Sequence, residues 1–108
     1  MNSKVAKKYY NTIPDAEMKI MSFIWAQNGL FLKDILEMDD YHNKSNTGVA
    51  TLLRRLIDRG FVRYEMIGKS RCYFPVVQKK EYFKNYINKI IDEFYFGDKK
   101  EFLYHIEH

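Results

Sequence analysis

Residues 46–76 decide the fold, and they read NTGVATLLRRLIDRGFVRYEMIGKSRCYFPV. In the first part of this segment, apolar residues have the spacing of one buried helical face; they are Val49, Leu52, Leu53, Leu56 and Ile57. The polar cluster 45–47 can cap a helix at its start, and Gly60 is suited to its end. The pattern therefore predicts a helix over 46–59. Its exposed face would carry Thr47, Ala50, Thr51, Arg54 and Asp58.

The rest of the segment predicts a β-hairpin. Two short runs, 61–67 and 71–76, are rich in aromatic and β-branched residues, which favour strands. Gly68, Lys69 and Ser70 lie between them and supply the turn.

Two more helices are predicted before residue 46. The first begins near Pro14, which suits a first helical turn, and ends at Gly29. Its apolar residues with helical spacing are Ile20, Met21, Ile24 and Trp25. A second, short helix is expected over 30–38, and the polar residues 39–43 form the turn to the third helix. The buried side of the second helix would consist of Leu32, Ile35 and Leu36.

Helical spacing returns after residue 78 and produces an apolar stripe on an otherwise charged helix. Gly97 and Asp98 interrupt it, and a last short helix follows. The stripe is either a fourth core helix or a dimer interface. The interface is favoured because three helices and a hairpin already cover one core. Its predicted residues are Phe83, Ile87, Ile90, Ile91, Phe94, Phe102, Leu103 and Ile106.

Charge and cysteine usage narrow the class of protein. The net charge of +4 suits a polyanionic partner. The positions of the cations along the chain are more informative about such a partner than the net charge. Six cations lie within one short segment: Arg54, Arg55, Arg59, Arg63, Lys69 and Arg71. Cys72 is the single cysteine, so no disulfide forms within the chain, and it is expected to be a small buried residue. A reducing compartment, the cytoplasm, is expected, and no apolar run is long enough to predict membrane insertion.

The third helix is a candidate DNA-recognition helix, because one face is apolar and the other carries short polar and cationic side chains. An ordinary amphipathic helix with a solvated face would show the same pattern. The hairpin favours DNA, because cations at its tip can bind phosphates. The predicted base contacts come from Thr47, Thr51 and Arg54, and the predicted phosphate contacts from Lys44, Ser45, Lys69 and Arg71. Asn46 and Arg55 complete the predicted DNA-binding set.

No catalytic or metal-binding pattern competes with this interpretation. The histidines His42, His105 and His108 are not at ligand spacing, and the adjacent Asp39 and Asp40 have no general-acid partner. No metal, cofactor or enzymatic activity is expected. Two classes compete with a DNA-binding protein: a winged-helix adaptor that binds protein instead of DNA, and a small basic enzyme subunit. An adaptor would lack cations at the wing tip, and an enzyme would need converging titratable groups; the sequence shows the opposite in both cases.

The order of elements predicts a mainly α winged helix-turn-helix fold: three helices, a β-hairpin wing and C-terminal dimerisation helices. Other small α+β domains can share this order. The expected organisation is a basic N-terminal arm over 1–12, a winged-helix DNA-binding domain over 13–77 and a helical dimerisation region over 78–108. A length of 108 residues suits a single modest core.

Three motifs resemble the penicillinase and methicillin-resistance repressor family (BlaI/MecI/CopY-type). They are IPDAE at 13–17, VATLLRRL at 49–56 and GKSRCYFP at 68–75. The resemblance implies a repressor that binds a pseudo-palindromic operator as a homodimer, with the recognition helix and wing on DNA and the C-terminal helices joining the subunits. It also implies derepression by a membrane sensor protease, whose cleavage position corresponds to His105 and Ile106 in this chain.

The chain departs from the family pattern at several positions. Lys44 stands where tryptophan is common before the recognition helix, Gly48 where threonine is common and Met18 where an aromatic residue is usual. The operator sequence therefore does not carry over from the family. The C-terminal cysteine cluster of the copper-responsive members is missing, so copper sensing is not expected.

Overall fold

A computed structural model describes residues 12–38 and 46–108, apart from the side chains of Asn46 and Thr47. Residues 1–11 of the predicted arm, the predicted turn 39–43, and Lys44 and Ser45 lie outside the described residues. The helices are α1 (Asp15–Gln27), α2 (Leu32–Leu36), α3 (Asn46–Asp58), α4 (Lys79–Phe94) and α5 (Lys99–Glu107). The strands are β1 (Leu30–Phe31), β2 (Val62–Ile67) and β3 (Ser70–Pro75).

These elements make a mainly helical winged helix with one small antiparallel sheet, as predicted. The described residues divide into two compact units, Ile13–Gln78 and a second one that contains Lys79–His108. The division falls beside the predicted domain boundary at 77/78.

Helix α1 begins and ends where the sequence predicts. The Pro14 carbonyl accepts hydrogen bonds from the backbone of Glu17 and Met18, each at 2.9 Å. The helix ends at Asn28, whose φ of 51° is left-handed, and Gly29 follows with φ 129°. A Cβ at Gly29 would lie 2.8 Å from the Phe74 ring, so a glycine lets the chain pass close to β3.

The predicted second helix over 30–38 was wrong at both ends. Leu30 and Phe31 are extended and pair with Tyr73 and Cys72 of β3, and the helix covers only Leu32–Leu36. The hairpin leaves one edge of β3 open, and β1 satisfies the backbone groups of that edge. Such a partner is distant in sequence, so local spacing does not reveal it. Of the three residues predicted to be buried, Ile35 is fully buried and Leu32 and Leu36 are half-buried.

Helix α3 contributes the centre of the winged unit. Val49, Leu53 and Leu56 are buried as predicted, whereas Leu52 and Ile57 are half-buried. The helix ends one residue before the predicted Arg59. Gly60 then adopts φ 85° and the Phe61 amide donates to the Leu56 carbonyl at 2.9 Å. This glycine-based ending turns the chain directly into β2.

Strands β2 and β3 with their turn form the wing. Their register pairs Ile67 with Ser70, so the connection is the two-residue turn Gly68–Lys69, and Ser70 belongs to β3 and not to the predicted turn. Gly68 has φ 64°, and glycine at the first position is the feature of a type II′ hairpin turn. The base of the wing is fixed to α1, since the Trp25 indole donates to the Val77 carbonyl at 2.9 Å.

The C-terminal unit consists of α4, α5 and a short connection. Tyr82 and Ile91 are the buried side chains of α4. Phe96 in the connection has φ 52°, Gly97 has φ 82°, and Asp98 caps α5 by accepting a hydrogen bond from the Glu101 amide at 3.1 Å. The predicted break at Gly97 and Asp98 is confirmed.

Within 12–38 and 46–108, no helix is both long and apolar enough to cross a membrane. In the same part of the chain, no three His, Cys, Asp or Glu side chains are grouped so that they could hold a metal ion.

Candidate nucleic-acid interface

The exposed face of α3 carries four of the five side chains that the sequence predicts there. Ala50, Thr51, Arg54 and Asp58 are exposed, and so is Arg55 one residue further around the helix. Thr47 and Asn46 lie in the first turn, where their side chains are not described. Because the opposite face is buried against α1 and β2, this surface is the one that α3 can offer to a partner.

The six clustered cations fall into two groups, those that form an ion pair and those that do not. Arg59 forms an ion pair with Glu17, which is only 2% exposed, and its Nε donates to the Arg55 carbonyl at 3.4 Å. Arg63 pairs with Glu65 at 2.9 Å and stacks 4.8 Å from the centre of the Phe74 ring. These two arginines are neutralised by carboxylates of the same unit and contribute little net charge to a DNA-facing surface.

The other four cations are exposed. Among the described residues, Arg54, Arg55, Lys69 and Arg71 take part in no ion pair. Arg54 and Arg55 lie on α3, and Lys69 and Arg71 lie at the tip of the wing. All four were predicted to bind DNA, and their charge stays available for phosphates.

A cleft of about 340 Å³ separates α3 from the wing, and we call it the helix cleft. Its lining consists of Ala50, Leu53, Arg54, Ile57, Asp58, Tyr64, Arg71 and Tyr73. Arg71 enters this cleft with its guanidinium carbon 4.5 Å from the centre of the Tyr64 ring. Two arginines and one carboxylate line the cleft, so its net charge is positive.

A second cleft, of about 350 Å³, lies between α2 and the turn of the wing, and we call it the turn cleft. Phe31, Leu32 and Leu36 form its apolar part; Lys33, Lys69, Ser70 and Arg71 form its polar part. Lys33 was not among the predicted site residues, because only the pairing of β1 with β3 brings α2 next to the wing. Tyr64 was missed for the same kind of reason, since its contact with Arg71 depends on strand register.

A family model described as penicillinase repressor matches residues 13–107. The chain belongs to the penicillinase repressor family. The penicillinase repressor of Bacillus licheniformis is 26% identical to it over 86 residues, which cover 79% of this chain and 67% of that protein. Membership confirms the resemblance drawn from the three motifs, and with it a transcriptional repressor of winged-helix fold. The family is one of repressors and not of enzymes.

The single cysteine of the repressor is a buried residue of the sheet, as predicted. Cys72 is 4% exposed in β3. Burial raises the pKa of its thiol, and the nearby carboxylates of Asp34 and Glu65 raise it further. The thiol therefore stays protonated near neutral pH and is a poor nucleophile.

The predicted dimer-interface residues of the repressor differ widely in exposure. Phe83, Phe94, Leu103 and Ile106 are 40%, 70%, 53% and 63% exposed. Ile87, Ile90 and Phe102 are half-buried, and Ile91 is already buried within the chain and adds no exposed surface. Two further exposed aromatic residues were missed, Phe96 and Tyr104.

Two contacts join Tyr95, in the connection that follows α4, to side chains of α5. A hydrogen bond of 3.0 Å joins the Tyr95 hydroxyl to Nδ1 of His105. The Tyr95 ring also meets the Phe102 ring edge-on, with 5.3 Å between their centres. The start of the connection is thus tied to the helix that follows it.

Proposed function

We propose that the repressor binds a pseudo-palindromic DNA operator as a homodimer, with α3 in the major groove and the wing on the phosphate backbone. The observation that carries this proposal is the position of the cations that form no ion pair. Of six in the segment, two are neutralised by carboxylates of the same unit, and the four exposed cations that form no ion pair all lie on α3 and the wing tip. A purely structural winged unit needs no such exposed charge at its wing tip.

The side chains have different roles in this proposal. Arg54 and Thr51 approach base edges, because they lie on the exposed face of the helix that enters the groove. Thr47 is the third predicted base contact. Lys69 and Arg71 bind phosphates on one side of the helix. The remaining predicted contacts come from Lys44, Ser45, Asn46 and Arg55.

The homodimer is supported by the exposed apolar side chains of the C-terminal unit. Burying a large apolar side chain contributes about 1.5 to 3 kcal/mol, and Phe94, Leu103 and Ile106 are each more than half exposed. A second copy of the chain would bury the same residues on both subunits, as a two-fold interface requires. Two linked recognition helices would then contact half-sites about one DNA turn, or a multiple of it, apart.

Selection of genomic fragments by the full chain, followed by sequencing, tests the operator. We expect an enriched inverted repeat whose half-sites share one face of the duplex. Sedimentation of the same protein at tens of micromolar should give a dimer. A monomer, or a chain that enriches no sequence, would contradict the proposal; the absence of any salt-dependent DNA binding would favour the adaptor class instead.

The proposed control of the repressor is cleavage by a membrane sensor protease near His105 and Ile106. Both residues are exposed, which makes them accessible to a protease. They lie in the last turns of α5, and His105 is hydrogen-bonded to Tyr95. Proteases bind extended backbone, so the end of α5 would have to unwind before cleavage.

A further inference from the structure

Arg71 stands where the two clefts of the winged unit meet. It lines the helix cleft with Arg54 and Asp58, and it also lines the turn cleft with Lys33 and Lys69. A long, flexible arginine at this border can direct its guanidinium into either cleft. In the helix cleft the guanidinium lies beside the face of α3 proposed to enter the major groove. In the turn cleft it would lie beside two other cations, which repel it.

Tyr64 contacts Arg71 on the side of the helix cleft. The register pairs Tyr64 with Tyr73 and Met66 with Arg71, so Tyr64 and Arg71 are diagonal neighbours on one face of the wing. Aromatic and long side chains reach each other across this diagonal. Tyr64 lines the helix cleft only, and its ring lies 6.0 Å from that of Tyr73, which is 3% exposed. The Tyr64 ring therefore lies between the buried Tyr73 ring and the Arg71 guanidinium, and its contact with the guanidinium is on the α3 side.

We propose that Tyr64 is a positioning residue, which stacks on Arg71 and keeps its guanidinium in the helix cleft, where it binds a DNA phosphate beside the recognition helix. The proposal rests on the function proposed above. Stacking uses the face of the guanidinium and leaves the N–H groups at its edge free to donate to phosphate oxygens. The ring thus reduces the freedom of Arg71 without occupying its donors.

The wing contains a matched contrast. Arg63 also stacks on an aromatic ring, that of Phe74, but its Nη1 is bound to Glu65 at 2.9 Å. Arg63 and Phe74 are paired in the register next to Tyr64 and Tyr73, so they lie on the opposite face of the hairpin. Replacing Arg63 removes one formal cation and one stacked arginine without affecting the helix cleft. Arg63→Ala is therefore the control for the loss of a cation and for the loss of a stacked arginine.

The test measures how the affinity of the full-length protein for a labelled random-sequence duplex falls with salt. Tyr64→Leu and Tyr64→Gln should each lower the slope of log K against log salt by about one, as Arg71→Ala should, because one phosphate contact is lost. Tyr64→Phe keeps the ring and should retain the wild-type slope, and Arg63→Ala should retain it as well. The double variant Tyr64→Gln/Arg71→Ala should be no worse than Arg71→Ala alone.

The outcomes separate the two proposals. A wild-type protein without salt-dependent DNA binding would overturn the proposed function itself. Wild-type binding combined with an unchanged slope in Tyr64→Gln, or an equal loss in Tyr64→Phe, would overturn the role of Tyr64 alone. Thermal unfolding of each variant identifies any that fail to fold. Because Tyr64 is 41% exposed, the polar Tyr64→Gln replacement should fold even if Tyr64→Leu does not.

Discussion

Replacing Arg59 should destabilise the winged unit more than replacing Glu17, although the two residues form one ion pair. The Glu17 side chain is 3% exposed, whereas that of Arg59 is 29% exposed. Arg59→Ala would leave a carboxylate buried without the cation that the structure pairs with it. Glu17→Gln would leave an arginine that can turn toward water. The two single substitutions therefore break the same contact but differ in the charge that remains buried.

The exposures set the expected magnitudes. Removing one partner of a buried pair costs about 3 to 5 kcal/mol, and Arg59→Ala should fall near the lower end because its own side chain is partly solvated. Glu17→Gln should cost about 1.5 to 2 kcal/mol, the lower part of the range for a lost hydrogen bond to a charged group, because the released arginine can be solvated. The double variant should be less destabilised than the sum of the singles, because no buried charge is left.

Urea unfolding followed by the fluorescence of Trp25 gives these free energies. Protein concentration must be the same for all variants, since dimerisation would make stability depend on it. The reasoning would be refuted if Glu17→Gln cost as much as Arg59→Ala, or if the effects of the two substitutions were additive. Arg59→Ala should also leave the salt dependence of DNA binding unchanged, because that cation is already neutralised by Glu17.

Four further predictions concern DNA binding, assembly, the thiol and cleavage. Arg54→Ala should cost about 1 to 3 kcal/mol of operator affinity and relax sequence preference, whereas Lys69→Ala should weaken binding to all DNA and lower the salt slope by about one; equal losses on operator and random DNA for Arg54→Ala would contradict base contact. A chain ending at Gln78 should stay folded but bind the operator much more weakly, because two linked contacts become one; binding as tight as that of the full chain would mean that the apolar stripe is only core. Cys72 should react slowly with a thiol reagent at pH 8 and rapidly in urea, since burial both shields the thiol and raises its pKa; a fast reaction of the folded protein would contradict this. Co-expression with a cognate sensor protease, followed by mass measurement after induction, should show a fragment ending near His105, and an intact chain in derepressed cells would exclude cleavage.

Part of the site was predictable because its signals are local. The exposed positions of Thr51 and Arg54 follow from the period of the helix, and the exposed wing tip follows from the glycine-containing turn between two strand-like runs, although the turn is one residue shorter than predicted. Which cations keep their charge available was not predictable. Arg59 and Arg63 resemble the other four in sequence, and the partner of Arg59 is far from it along the chain.

The C-terminal stripe shows the same division. Its helical period was correct, and α4 and α5 form where the pattern places them. The helical period alone does not show which apolar side chains of the stripe are buried within the chain and which are left exposed. The structure buries Ile91 and Tyr82 and leaves Phe94 largely exposed, so the available surface differs from the predicted one.

The sequence by itself determined the order of the helices, the hairpin and the family, because helical spacing, capping residues and turn glycines act over a few neighbouring positions. Only the tertiary structure decided three features: the pairing of β1 with the open edge of β3, the neutralisation of Arg59 by Glu17, and the stacking of Arg71 on Tyr64. Each depends on residues that the fold brings together from different elements. Strand register decides which side chains become neighbours, and burial decides how strongly a charge needs a partner. Both are set only when the chain has packed.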